Sequence, residues 1–268
     1  MSNNLDPSGV VHPTVSVIMP AYKSKAYLEE AIRSVIDQTF QDWELVVVDD
    51  ASSDETPKIV QALASREPRL VAERLAENRG VGYCRNRGLE LAKGRFVAFL
   101  DGDDRWHPEK LSRQLAFMRQ KKAAFSFTAY EVISATGTWL SLAPPVPDEM
   151  TYEKLLGNSL IGCSTVVLDR ESLGEVRFPE MRTRQDFALW CTLLRDGRKA
   201  AGLADVLTQY RLSPAGISKN KLKGARQHWR VYREHLGLGL FKATRHFISY
   251  AWNASRKHRR YRGIGPAS

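Results

Sequence analysis

Arg95 to Trp106 reads R-F-V-A-F-L-D-G-D-D-R-W. A short apolar run with aromatic and β-branched residues, closed by turn residues, predicts a buried strand over Phe96–Leu100. Burial on both faces is the mark of a parallel sheet covered by helices. Asp101, Asp103 and Asp104 then fall at the C-terminal end of that strand, where open α/β sheets bind ligands. Three carboxylates this close repel one another unless a cation or a donor array compensates them. A hard divalent cation that shares its shell with waters and phosphate oxygens meets that need. The alternative is a solvated acidic turn that caps the next helix, because Asp-Gly is ordinary turn chemistry.

Outward from this stretch the pattern alternates. Val15–Met19 is a strand, Tyr27–Gln38 a helix, and Trp43–Val48 a strand that ends in Asp49-Asp50. The helix Lys58–Ser65, a third run from Arg69 to Ala72, and the helix Cys84–Ala92 follow. This rhythm predicts a doubly wound, Rossmann-like α/β fold with a mostly parallel sheet flanked by helices. Beyond Pro108 come a helix ending at Lys121-Lys122, a strand Ala124–Ile133 and a rigid loop at Pro144–Pro147. A strand Ser164–Leu168, a helix Phe187–Leu194 and a strand Val206–Leu212 complete the domain.

Parallel strands point their C-termini one way, so Asp49-Asp50 and Asp101–Asp104 share one edge of the sheet. The loop Asn78-Arg-Gly-Val-Gly82 precedes Arg85 and Asn86 at a helix start. Its glycines, Gly80 among them, let backbone N–H groups approach an anion, and Arg85 can fork onto a phosphate. The plainer alternative is a glycine C-cap followed by surface charge. Taken together, the acids and the basic loop describe a site for a nucleoside diphosphate.

V-S-V-I-M-P-A-Y, Q-T-F-Q-D-W-E-L-V-V-V-D-D-A-S-S-D-E-T, E-N-R-G-V-G-Y-C-R-N-R-G, F-L-D-G-D-D, R-Q-D-F-A-L-W and Q-Y-R-L-S resemble, in this order, family 2 glycosyltransferases of the GT-A fold. The tail resembles a bacterial subgroup that builds capsular, teichuronic-type or lipopolysaccharide polymers. The resemblance implies that Pro20, Ala21 and Tyr22 line the nucleotide and that Asp50 holds the uracil edge of a UDP-sugar. Asn78, Gly80, Arg85, Asp101 and Gly102 complete the donor site. Asp101 and Asp103 form the D-x-D that holds Mn²⁺ or Mg²⁺, with Asp103 the direct ligand. Asp186 falls on the family's general base; its alternative is an N-cap for the following helix. Asp104 is a helper acid or a helix cap.

Physically this is a single displacement with inversion: a base on one face of the sugar and a clamp on the departing diphosphate on the other. Two departures stand out. Gln185 occupies a position where the family often has Glu, and Ser213 one where many members carry His. The Q-x-x-R-W motif and membrane spans of processive synthases are absent, so one sugar per encounter is expected. The acceptor is a glycan or a lipid-linked glycan. Transfer to a polyprenyl phosphate and a catalytically silent GT-A binding module are the rivals.

The domain plan is a tail at 1–13, the GT-A domain at 14–215, and a basic helical extension at 216–268. Net charge is +10, but the residues after Ser213 carry thirteen Lys or Arg against one acid, Glu234, a balance of +12. The rest of the chain is nearly neutral, so the tail's partner is anionic. Over Leu240–Lys257 a helical wheel puts Leu240, Phe241, Thr244, Phe247, Ile248, Ala251 and Trp252 on one arc. Lys242, Arg245, Asn253, Arg256 and Lys257 take the other. Either the apolar arc docks on the domain, or the helix rests on anionic lipid. No nucleic-acid recognition motif is present. The start of the chain lacks signal-peptide features, and Cys84, Cys163 and Cys191 suggest neither a disulfide framework nor zinc. Both point to a cytoplasmic protein, peripheral at the inner membrane face if the tail binds lipid.

Overall fold

The computed structural model describes residues 12–212 and 221–262. One mixed sheet forms its centre. The strands are β1 (Val15–Ala21), β2 (Trp43–Asp49), β3 (Leu70–Arg74), β4 (Phe96–Phe99), β5 (Arg105–Trp106), β6 (Phe125–Ile133), β7 (Trp139–Leu142), β8 (Glu149–Met150), β9 (Val166–Asp169) and β10 (Ala200–Arg211). Their order is β3-β2-β1-β4-β9-β6-β10-β5, with β7 beside β6 and β8 beside β10. β1, β2, β3 and β4 are parallel, which sets the tips of β2 and β4 on either side of β1 as the acid spacing requires. β9 runs antiparallel to both β4 and β6, and β5, β7 and β8 also pair antiparallel. The sheet is therefore less parallel in its second half than the alternating pattern suggests.

Helices α1 (Leu28–Ile36), α2 (Thr56–Ala64) and α4 (Lys110–Lys121) cover one face. Their apolar stripes, such as Leu28, Ile32 and Val35 of α1, meet Val15, Val17, Leu45 and Val47 from the sheet. The other face takes α3 (Val81–Leu91) and α7 (Gln185–Leu194). Here Phe99, Phe125, Phe178 and Trp190 form an aromatic knot with centroid separations of 5.2–6.0 Å. Gly88 lets α3 lie against β1, because a Cβ there would overlap the Ile18 side chain. The short elements α5 (Tyr152–Gly157) and α6 (Arg170–Leu173) carry too few turns for periodicity to reveal them.

The C-terminal helices α8 (Lys221–Arg230) and α9 (Leu240–Arg262) flank a wider turn at Val231–His235. Val231, Tyr232, Leu236, Leu238 and Ala243 are buried in the same cluster as Phe187 and Trp190. This part of the extension thus shares the core of the catalytic domain. α9 is docked, but of the apolar arc that the wheel selects only Phe247 faces the domain. Its inner side carries Ala243, His246, Phe247 and Tyr250, whereas Leu240, Phe241, Ile248 and Trp252 are exposed. α5 decides this: Glu153 pairs with Lys242 and His246, and Asn253 Nδ2 donates to the Gly157 carbonyl at 3.0 Å. Polar partners on α5 turn part of the basic arc inward.

Candidate active site

The tip of β2 is closed on itself. Asp49 accepts from Ser52 N at 3.3 Å and lies 3.4 Å from Arg74 Nε. Asp50, buried, accepts from Arg79 N at 2.7 Å, Asn78 Nδ2 at 2.8 Å and Gly80 N at 2.9 Å. Gly80 has φ 89°, in the left-handed region, and sits just before α3. The loop is therefore a helix entry held by a carboxylate, not a C-cap. Both Asp50 oxygens are engaged, so its first task here is to shape the Asn78–Gly80 loop.

The tip of β4 differs. Asp101 Oδ1 accepts from Arg85 Nη2 at 2.5 Å, and Asp101 N donates to Ser164 Oγ at 3.2 Å. Asp104 is 2% exposed and accepts from Ser164 Oγ at 2.6 Å and Arg211 N at 3.0 Å. Asp104 is thus an interior carboxylate rather than a solvated turn or a cap; α4 begins six residues later, at Lys110. Burial and the charge of Asp101 push Asp103 up to about 6. Burial, with Asp103 and Asp101, pushes Asp104 well above the ordinary carboxylate range. A divalent cation would reverse this repulsion. Among the described residues no three His, Cys, Asp or Glu side chains form a closed metal cage. The donor set instead fits a hard cation that takes one or two carboxylates and completes its shell with water and phosphate oxygens.

Pro20 and Ala21 end β1 between these tips, and Asp50 N donates to the Ala21 carbonyl at 2.8 Å. Tyr22, 46% exposed, follows at the mouth. Gly102 is packed closely: a Cβ would stand 3.4 Å from Pro20 O and 3.2 Å from Leu28 Cδ1. Arg85 is buried, with its guanidinium 5.3 Å from the Phe178 ring centroid. Burial works against its charge, yet Asp101, Cys163 and Asp186 together hold its pKa above the ordinary value. In this structure Arg85 serves Asp101 before it serves any phosphate.

Asp186 reaches the site from the far end of the sequence. Asn86 makes a reciprocal pair with the backbone of Phe178, at 2.7 and 2.9 Å, which ties the segment before α7 to α3. Arg184, with φ 66°, precedes α7, so Asp186 is in the first turn and not the N-cap. Its Oδ1 accepts from Phe187 N at 2.8 Å. Asp186 acts electrostatically on both Arg85 and Cys163, as Asp101 does, so the candidate base and the acidic tip bear on the same two groups. Gln185 is buried near Gly82 with no partner for Oε1 among the described residues. Ser213 lies outside the described residues.

Two residues of this site escaped the sequence reading. Ser164 looks like the first residue of a strand, yet its hydroxyl joins Asp101 to Asp104. Arg211 stands in the Q-Y-R-L-S motif without an obvious task. In the fold its Nε donates to the Asp103 carbonyl at 2.8 Å and its Nη2 to Glu30 Oε2 at 2.5 Å. An arginine with 1% of its side chain exposed is an ordered tie between α1, the acidic tip and β10.

Comparison with known proteins is consistent with this geometry. The model for Glycosyl transferase family 2 matches residues 16–177, a span that stops short of Asp186. A Bacillus subtilis (strain 168) protein named as a teichuronic acid biosynthesis glycosyltransferase, TuaG, is 45% identical over 91% of this chain and 97% of its own. The Escherichia coli UDP-Glc:alpha-D-GlcNAc-diphosphoundecaprenol beta-1,3-glucosyltransferase WfgD is 38% identical over 81% of this chain and 84% of its own. Among solved structures, S. aureus TarS in complex with UDP-GlcNAc aligns with TM-score 0.69 at 21% identity, over 94% of this chain and 76% of that one. The mannosyltransferase PcManGT from Pyrobaculum calidifontis, in complex with GDP-Man and Mn²⁺, aligns with TM-score 0.68 at 20% identity, over 97% and 77%. At these identities the structural likeness speaks for the fold, which is GT-A.

Proposed function

This chain belongs to glycosyl transferase family 2, and on that premise we propose that it moves a sugar from a UDP-sugar to a lipid-linked glycan in the synthesis of a bacterial surface polysaccharide. The observation that carries the reading is the convergence of the Asp101–Asp104 tip, the Asp50-held loop and Asp186 at one sheet edge. The names of TuaG and WfgD support the surface-polymer and lipid-linked acceptor parts.

Asp103, with Asp101, would hold Mn²⁺ or Mg²⁺, which when bound supplies positive charge against the departing diphosphate. Pro20, Ala21, Tyr22 and the Asn78–Gly80 backbone shape the nucleotide pocket. Arg85 holds Asp101 in place and brings a fixed positive charge to the floor of the site. Asp186 takes the proton from the acceptor hydroxyl as it attacks the anomeric carbon, giving inversion. No helix among the described residues is long and apolar enough to cross a membrane. Contact with a lipid-borne acceptor therefore calls for peripheral attachment.

The test uses the full chain with a panel of UDP-sugars, a lipid-linked glycan acceptor and Mn²⁺. Wild type should release UDP in an acceptor-dependent way. Asp186→Asn should cut turnover by about 10³-fold, within the range for loss of a general base, while UDP binding is retained. Equal losses of donor affinity and turnover would remove Asp186 from the role of base.

A further inference from the structure

α9 carries two apolar faces, and the fold uses one. Ala243, His246, Phe247 and Tyr250 face the domain, where Phe247 packs edge-on against Trp229 at 5.5 Å. Phe241, Ile248 and Trp252 are 86%, 64% and 68% exposed. At roughly 100° per residue these three fall within about 40° of one another and opposite the docked face. Scattered apolar residues on a surface are ordinary, but three large ones aligned on one helix face are a candidate interaction surface.

Charge selects the partner. α9 contains no Asp or Glu in its 23 residues, and exposed Arg245 lies beside the stripe, whereas Lys242 is turned to Glu153 of α5. Two copies meeting through this face would oppose two acid-free basic helices, a repulsive arrangement. An anionic bilayer instead receives aromatic and aliphatic side chains below a basic flank.

We propose that the outer stripe of α9, Phe241-Ile248-Trp252, seats the protein on anionic lipid and turns the acceptor side of the active site toward the bilayer. This rests on the reading that the acceptor is lipid-linked. Tyr250, on the inner face of the same helix turn as Trp252, accepts from Arg184 Nη2 at 2.9 Å. Arg184 immediately precedes Gln185 and Asp186. The membrane-facing helix is therefore one hydrogen bond from the segment that carries the candidate base. The stripe binds the surface, the inner face holds the domain against it, and the acceptor's lipid end stays in the bilayer.

Sedimentation of the full-length protein with phosphatidylcholine vesicles, with and without phosphatidylglycerol, tests this at low and high salt. Wild type should bind the anionic vesicles, and added salt should weaken the binding. The triple variant F241S/I248S/W252S should bind about a hundredfold more weakly, because three large apolar side chains no longer enter the interface. Its Tm should stay close to wild type, since these side chains are largely exposed. Failure of wild type to bind, or equal binding by the triple variant, overturns the assignment. So does a dimer in sedimentation velocity that the triple variant dissolves while vesicles recruit neither protein. Donor hydrolysis by wild type without vesicles is measured in parallel. Lipid binding without UDP release would count against glycosyl transfer and leave the docking surface standing; UDP release without lipid binding would do the reverse.

Discussion

Two strands of this sheet end in neighbouring acids, and the two tips have opposite characters. At β2, Asp50 accepts three hydrogen bonds from the Asn78–Gly80 loop, so its charge is spread over donors of the chain itself. At β4, Asp101 is paired with Arg85, but Asp103 is pushed upward by burial and by Asp101, and Asp104 by burial and by both of its neighbours. Clusters of carboxylates at strand tips can thus differ in character. One is an anchor that is complete within the protein, and the other concentrates carboxylates that burial and like charge disfavour, the setting in which an external cation would be welcome.

The sharpest way to break this contrast is Asp103→Ala. If the β4 tip is the cation tip, UDP release should fall by at least about 10⁴-fold, the loss of several kcal/mol of charge stabilisation. Stability without metal should stay level or rise, because a source of like-charge repulsion is gone. Added Mn²⁺ should raise the Tm of wild type and not that of the variant. Turnover near wild type in the presence of Mn²⁺ would move the cation elsewhere.

Asp50→Asn should fail differently. The substitution turns an amide toward groups that already donate, so the loop loses acceptors. A stability loss of about 1–3 kcal/mol is expected in urea unfolding, that of leaving buried donors unsatisfied. UDP affinity should fall through a disordered loop, and the Mn²⁺-dependent rise in Tm should survive. If stability is unchanged and only UDP affinity drops, Asp50 is a ligand contact and not an anchor.

A smaller effect separates both tips from the acid limit of the fold. His228 stacks on Tyr250 at 3.7 Å, lies 4.3 Å from Phe187 and shares a 2.9 Å hydrogen bond with Tyr232. Burial, helped by Arg184, lowers its pKa from 6.5 to about 2. A histidine depressed in the fold binds its proton better when unfolded. Its contribution is complete above about pH 6.5 and is lost progressively as pH falls toward 2. Between pH 7 and 5.5 wild type should lose about 1 kcal/mol more stability than His228→Phe, as read by urea unfolding at the two pH values. Equal slopes would show that another group sets the limit.

The reading of single stretches succeeded where local pattern and burial agree. Phe96–Leu100 and Trp43–Val48 are apolar on both faces, and only a covered sheet accepts such segments. Their acids then follow by chain direction alone. Short or antiparallel pieces such as β5 and α5 carry too few residues for a period to register. β9 was recognisable as a strand, but its direction depends on a chain path that no local pattern encodes. The wheel of α9 separated the residue types but did not fix which face docks, for a related reason. It ranks faces by apolarity, whereas docking also depends on what the neighbours offer, here Glu153 and the Gly157 carbonyl of α5 together with Trp229.

What the sequence by itself determined is the sheet's leading half, the two acidic tips, the loop between them and the excess of charge in the tail. These follow from periodicity, burial and turn chemistry, which act over a few residues. Tertiary structure alone decided which acids are satisfied and which are poised. Ser164 and Arg211 reach Asp104 from 60 and 107 positions away. Asn86 brings Phe178, and with it the approach to Asp186, across 92 positions. Such contacts depend on where the folded chain places distant donors, and a carboxylate's environment is the sum of those placements.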